Sequence, residues 1–150
     1  MSMYDDVGAF HAKFNLPNVQ YRVVPAVDAD GTRKHYLTMP HQLSETDFRY
    51  RMQFIQEELQ EFVDSHHAGD LVGMADALAD LAWVVLGTAQ FMHLPFDEVW
   101  AEVRRANMDK TLAVEEDNEH KRGRVERIRK PAGWRPPQLR DVLVAAGGEQ

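Results

Sequence analysis

Five carboxylates in the middle of the chain are spaced for chemistry. Glu57, Glu58 and Glu61 fall in FIQEELQEFV, while Asp76 and Asp80 are the only formally charged residues from Leu71 to Pro95. In a helix, residues four apart are separated by about 40° around the axis and residues three apart by about 60°. The glutamates therefore project as one cluster and the aspartates as another. His66, His67, Ala68, Gly69 and Asp70 interrupt the two patterns, which predicts an antiparallel helical hairpin that turns the clusters toward each other. Carboxylates about 6 Å apart repel by roughly 3 kcal/mol per pair at an effective dielectric of about 20, and a divalent cation removes that cost. Oxygen donors without cysteine favour a hard ion, Mg²⁺ first, with Mn²⁺ or Ca²⁺ as substitutes. Solvated helix surface is the plain alternative for Glu57 and Glu58. It suits Asp76 and Asp80 less well, because the run from Leu81 to Leu86 that follows them is apolar on every side and is expected to be buried.

Composition bounds what such a site can serve. The chain has 150 residues, 44% apolar and 27% charged, and no cysteine. One ordinary globular domain spanning 1–150 is expected, large enough for a real core, and disulfides and zinc–thiolate centres are excluded. A reducing, cytoplasmic setting fits, and MSMYDDVGAF has neither the basic start nor the apolar core of a signal peptide. Residues 71–95 are long enough for a membrane span, but Asp76, Asp80, Gly73 and Gly87 argue against one. A net charge of −7 disfavours a nucleic acid polymer as partner. It leaves room for a free nucleotide, whose phosphates a bound cation can receive.

The elements that must position the acids follow from periodicity. Val7, Phe10 and Phe14, with Met3, form a helical stripe over residues 3–16 that Pro17 stops, with His11 at its rim. Residues 18–43 change character and form an arm, with a β-hairpin at about 19–38. Tyr21 to Val27 and Arg33 to Thr38 pair there across a DADG turn, and Pro25 confines the first strand to an edge. A lone hairpin is marginal, so it must pack on its own helices or on a second subunit, clasping a dimer or covering the site. Ser44, with Asp47 three residues on, caps the next helix. That helix runs to about Ser65 on a stripe of Phe48, Met52, Ile55, Leu59, Phe62 and Val63. Asp70 caps the second helix and Pro95 ends it. Asp97 is expected to cap a third, with Phe96, Val99, Trp100 and Val103 on its apolar face.

The third helix ends in Arg104, Arg105, Asn107, Asp109 and Lys110. Cations suit a helix C-terminus, yet Asn107, Asp109 and Lys110 within one turn can also supply an amide, a carboxylate ligand and a phosphate-binding ammonium. Residues 113–130 are strongly charged and read as an exposed or disordered segment. KPAGWRPPQLRDVLVAA then restores order, with Trp134 as a packing anchor or, alternatively, a base-stacking platform. A short helix from Pro137 follows, carrying Leu139, Val142 and Leu143.

Taken in order, Glu57-Glu58-Leu59-Gln60-Glu61, then Asp80 within ADALADLAWVVLGTA, then RRANMDKT and KPAGWRPPQL form a pattern. It resembles the MazG-like, all-α nucleoside triphosphate pyrophosphohydrolases, which include phosphoribosyl-ATP pyrophosphohydrolase and dimeric dUTPases. The resemblance covers roughly residues 44–143. It implies a mainly α fold with a four-helix-bundle core of that type, assembled as a homodimer or homotetramer. One position departs from the pattern. Where the family usually has Glu three residues before the aspartate, this chain has Ala77, with Asp76 beside it as a substitute.

What the resemblance implies is Mg²⁺-dependent hydrolysis of a nucleoside triphosphate to the monophosphate and pyrophosphate, in nucleotide-pool house-cleaning, with dUTP or another deoxynucleotide as substrate. Glu57, Glu58, Glu61, Asp76 and Asp80 are the expected metal ligands, and Glu57 or Glu58 the group that orients or deprotonates water. Lys110, Arg127 and Lys130 are expected to compensate the leaving pyrophosphate, and Asn107, Asp109 and Trp134 to contact the nucleotide or its phosphates. A carboxylate-bridged di-iron bundle would need Glu-x-x-His pairs, and none of the seven histidines has Glu three positions earlier. A non-catalytic helical nucleotide sensor or adaptor that has lost part of the metal site draws its support from Ala77.

Overall fold

In a computed structural model that describes residues 2–38, 44–112, 120–121, 124–125 and 128–147, the chain is mainly helical with a β-hairpin arm. The first helix, α1 (Met3–Lys13), opens on a reciprocal cap in which the Ser2 hydroxyl accepts from the Asp5 amide and the Asp5 carboxylate accepts from the Ser2 amide. Its stripe is only partly covered. Val7 is fully buried, and Phe10 meets Trp83 edge-on at 5.4 Å, but Met3 and Phe14 are exposed. The arm pairs β1 (Arg22–Val27) with β2 (Arg33–Thr38) in antiparallel register from Arg22↔Thr38 to Val27↔Arg33.

Helices α2 (Glu45–Ala68) and α3 (Leu71–Phe91) make the hairpin that carries the acids, and their packing is the most extensive between any two described elements. The Ser44 hydroxyl caps α2 by accepting from the Asp47 amide at 3.0 Å. The helix runs three residues past Ser65 and stops where Gly69 turns left-handed at φ +68°. The connection is thereby reduced to Gly69 and Asp70, and the Asp70 carboxylate caps α3 by accepting from the Val72 and Gly73 amides, each at 3.0 Å.

Helix α3 also packs against α1 and against α4 (Phe96–Met108). Asp97 does not cap α4. Pro95 holds that position without a side-chain bond, and Asp97 sits inside the first turn, where it accepts from the Ser2 hydroxyl at 2.9 Å and ties α4 to α1. Beyond α4, strand β3 (Thr111–Leu112) pairs with β6 (Ile128–Arg129) and β4 (His120–Lys121) with β5 (Arg124–Val125). The charged segment, expected to be exposed or disordered, is therefore strand-paired at these residues. Arg127 lies outside the described residues.

The last helix, α5 (Leu139–Gly147), covers the arm: the Tyr21 hydroxyl donates to the Leu143 carbonyl at 3.0 Å, and Arg140 donates to the His35 carbonyl. The arm thus packs on its own chain rather than lying as a free loop. The segment leading into α5 is fixed to α4 through one ionic knot. Arg105 bridges Glu102 (2.7 Å) and Asp109 (2.8 Å), donates to the Pro136 carbonyl, and Glu102 also accepts from the Gln138 amide at 2.8 Å.

Burial within one chain is thin. The fully buried apolar side chains among the described residues are Val7, Val19, Ala77, Ala89, Phe91 and Ala106. The run from Leu81 to Leu86, expected to be buried, leaves Trp83 and Val85 about two-fifths exposed, and the α2 stripe is open at Phe48, Met52, Leu59 and Val63. Trp100 on α4 is exposed as well. The reason is architectural: α3 is covered by α1 and α2 and touches α4, and among the described residues no further layer stands over the rest of the hairpin. By length and composition alone α3 would suffice to cross a membrane.

Two outcomes follow. Gly69→Ala should cost about 1 kcal/mol, because a Cβ disfavours the left-handed stop, read as a lower midpoint in urea. The arginine and amide contacts hold the Glu102 carboxyl down to about 2, against an ordinary 4.5. Its contribution is complete above pH 4.5 and is lost as pH falls through about 2. Glu102→Gln should lower Tm at pH 7 and flatten its dependence on pH across that window.

Candidate active site

The two-residue turn fixes how α2 and α3 face each other, and the outcome centres on Glu58. One of its carboxylate oxygens, Oε2, is shut off from solvent and has no hydrogen-bond partner. Burial first, then the charges of Glu61, Asp80, Glu57 and Asp76 in that order, push the Glu58 carboxyl above its ordinary value. The other four acids thus lie within electrostatic reach of Glu58. Glu57, Glu61, Asp76 and Asp80 are exposed around the half-buried Glu58. Among the described residues, no three His, Asp or Glu side chains are drawn together into a ready ligand group.

Glu58 and Asp80 stand on the wall of a cavity of about 460 Å³ between α1, α2 and α3, whose other walls are Phe10, Tyr50, Phe54, Trp83 and Phe91. Such a volume suits a small organic ligand. Two polar groups in it are not among the site residues expected from the sequence, where His11 reads as a rim histidine. His11, from α1, lines the cavity, and its imidazole is shifted down by burial and by the nearby Arg51 charge. Arg51, from α2, lies with its guanidinium 5.0 Å over the Phe91 ring. The available signal was the i, i+4 pair Tyr50 and Phe54 bracketing an arginine within the apolar stripe.

The remaining candidates gather elsewhere. Lys110 donates to the Asn107 side-chain oxygen at 2.7 Å, the Asn107 amide donates back to the Val103 carbonyl, and Asp109 is paired with Arg105. Among the described residues no hydrogen bond or ion pair joins these three to the five acids. The Trp134 indole donates to the Ala106 carbonyl at 2.6 Å, and the Lys130 ammonium stands 4.3 Å over its ring. In this chain the tryptophan anchors the segment before α5 to α4, and one of its faces is already covered.

A family model described as phosphoribosyl-ATP pyrophosphohydrolase matches residues 32–107, about half of the chain, from the start of β2 to the last turn of α4. The chain belongs to this family. Through it the chain is a member of the MazG-like, all-α nucleoside triphosphate pyrophosphatase superfamily. No curated protein shows a significant match to the chain. All five acids fall inside the matched span, as do Arg51 and most of the cavity wall. The span starts twelve residues before the resemblance read from the sequence, and leaves KPAGWRPPQL outside.

Ala77, where the resemblance read from the sequence expects Glu, is 2% exposed, whereas Asp76 beside it is exposed. A carboxylate placed at Ala77 would begin inside the helix packing, while Asp76 starts from the accessible side. The donors are all carboxylate oxygens and one of them is buried without a partner, which fits a hard divalent cation.

The Glu58 shift has a sign that can be measured. Above its unfolded value near 4.5, the folded chain keeps a proton that the unfolded chain has released, so stability falls as pH rises through the window between the two values. Glu58→Gln should abolish that fall and give a higher Tm than the parent at neutral pH in metal-free buffer, by differential scanning calorimetry.

Proposed function

We propose that the chain hydrolyses a nucleoside triphosphate to the monophosphate and pyrophosphate with Mg²⁺, or Mn²⁺ in its place, and serves nucleotide-pool house-cleaning, with dUTP or another deoxynucleotide as substrate. The observation that carries this reading is the buried, unpartnered Glu58 oxygen ringed by four further acids beside a cavity of nucleotide scale. Family membership supports the pyrophosphohydrolase class.

Glu57, Glu58, Glu61, Asp76 and Asp80 would hold the ion. When bound, Mg²⁺ supplies charge neutralisation at the phosphate oxygens and relieves the repulsion among the acids. Glu57 or Glu58 takes a proton from the attacking water as its oxygen bonds to the α-phosphorus. The bond from that phosphorus to the bridging oxygen breaks, and its electron pair leaves with pyrophosphate. Lys110, Lys130 and Asn107 form a separate group at the end of α4, so they would compensate the leaving group and contact the nucleotide where a second subunit brings them to the acids. The open apolar faces of α2 and α3 support a homodimer or homotetramer in which they are covered.

Ala77 supports a second reading, a nucleotide sensor that keeps the pocket and lacks turnover. A panel of phosphoribosyl-ATP, dUTP, dCTP and the common triphosphates, assayed with Mg²⁺ for monophosphate and pyrophosphate, separates the two. Turnover abolished by chelation, and reduced about a hundredfold or more in Glu61→Gln and Asp80→Asn, is expected, on the scale of removing one preorganised electrostatic group. Full activity in either variant contradicts the assignment, and tight binding without products favours the sensor.

A further inference from the structure

Glu58 and Asp80 stand on the cavity wall, so a substrate whose phosphates meet those acids sends its other end among the remaining lining residues, Phe10, Tyr50, Phe54 and Trp83 among them. Flat apolar walls suit a nucleobase, which stacks on aromatic faces whatever its edge. Selection among bases therefore has to come from polar groups at the far side. Arg51 is placed for that. It stands seven residues before Glu58 on α2, about 10 Å along the helix axis, the reach needed to pass a sugar and meet a base.

Among the described residues no carboxylate or carbonyl accepts a hydrogen bond from Arg51. Asp47, one turn earlier on the same cavity wall, accepts from Ser44 and acts on Arg51 through its charge, and the guanidinium stands over the Phe91 face. Gly87 keeps the space in front of it open. A Cβ there would lie 3.6 Å from Arg51 Nη1 and 3.4 Å from His11 Nε2, so both side chains converge over that backbone position. A half-buried guanidinium offers donors only, in a fixed fork, and asks for an edge that presents acceptors.

Resting on the pyrophosphohydrolase reading, we infer that the cavity is a base pocket in which Arg51 selects oxo-bases. A carbonyl oxygen, paired with N7 in a 6-oxopurine or standing alone as O4 in uracil, accepts from the fork. Adenine and cytosine place an amino donor at the same point and meet donor with donor.

The test compares pairs that differ at that atom: dITP with dATP and dUTP with dCTP, by kcat/KM, alongside calorimetric binding of inosine and adenosine monophosphates. The oxo member of each pair should be favoured by about tenfold or more, the discrimination expected of a well-formed base contact. Arg51→Met should bring both ratios toward one, and Arg51→Lys, which keeps the charge and loses the fork, should lie between. Equal kcat/KM within each pair, or a uniform loss across all four triphosphates in Arg51→Met, overturns base selection while leaving the pyrophosphohydrolase reading intact. If no triphosphate is hydrolysed, that reading fails, and the binding comparison still decides the role of Arg51: preference for inosine monophosphate lost in Arg51→Met upholds it, and equal binding overturns it.

Discussion

The packing of α2 against α3 across a two-residue turn is the constraint on which the rest of the structure depends. Gly69 stops the first helix with a left-handed backbone, Asp70 caps the second, and no slack is left for the helices to slide. That register brings two glutamates and two aspartates within electrostatic reach of Glu58, an arrangement no folded chain gains from unless something positive joins it. The half-buried Glu58 takes most of the strain: burial and four neighbouring charges all act against its ionised form.

A second tension runs through the same hairpin. Its residues are patterned as core, yet within one chain they cover little apolar surface: Leu59, Val63, Leu78 and Val85 all stay substantially exposed. Helix α1 protects the C-terminal half of α3 through Val7 and Phe10, and the arm and α5 pack upon each other. The uncovered faces belong to the helices that carry the acids. The proposed chemistry and the proposed subunit contact would therefore share the same two elements.

Much of this was legible in the residues. Helical period alone placed Glu57, Glu58 and Glu61 together and set Asp76 and Asp80 opposite, and the arm between Tyr21 and Thr38 was marked by its alternation and its DADG turn. The errors have local causes. Asp97 has the residue type of a cap, but Pro95 occupies the cap position, and Ser2 reaches Asp97 from another helix. Burial of Trp83 and Val85 was inferred from an all-round apolar run, a property that counts neighbours without saying whether they come from the same chain. An arginine beside an apolar stripe, as Arg51 is, reads as ordinary surface from the sequence alone. Only the fold reveals that α1 and α3 close a cavity around it.

The convergence of the acids is most directly tested by anomalous diffraction from crystals soaked in Mn²⁺ with a nonhydrolysable triphosphate analogue. One peak or more within ligand distance of Glu58 and Asp80, with phosphate oxygens against it, is the expected result. Manganese bound elsewhere, with the Glu57, Glu58 and Glu61 side chains turned away from Asp76 and Asp80, would contradict it.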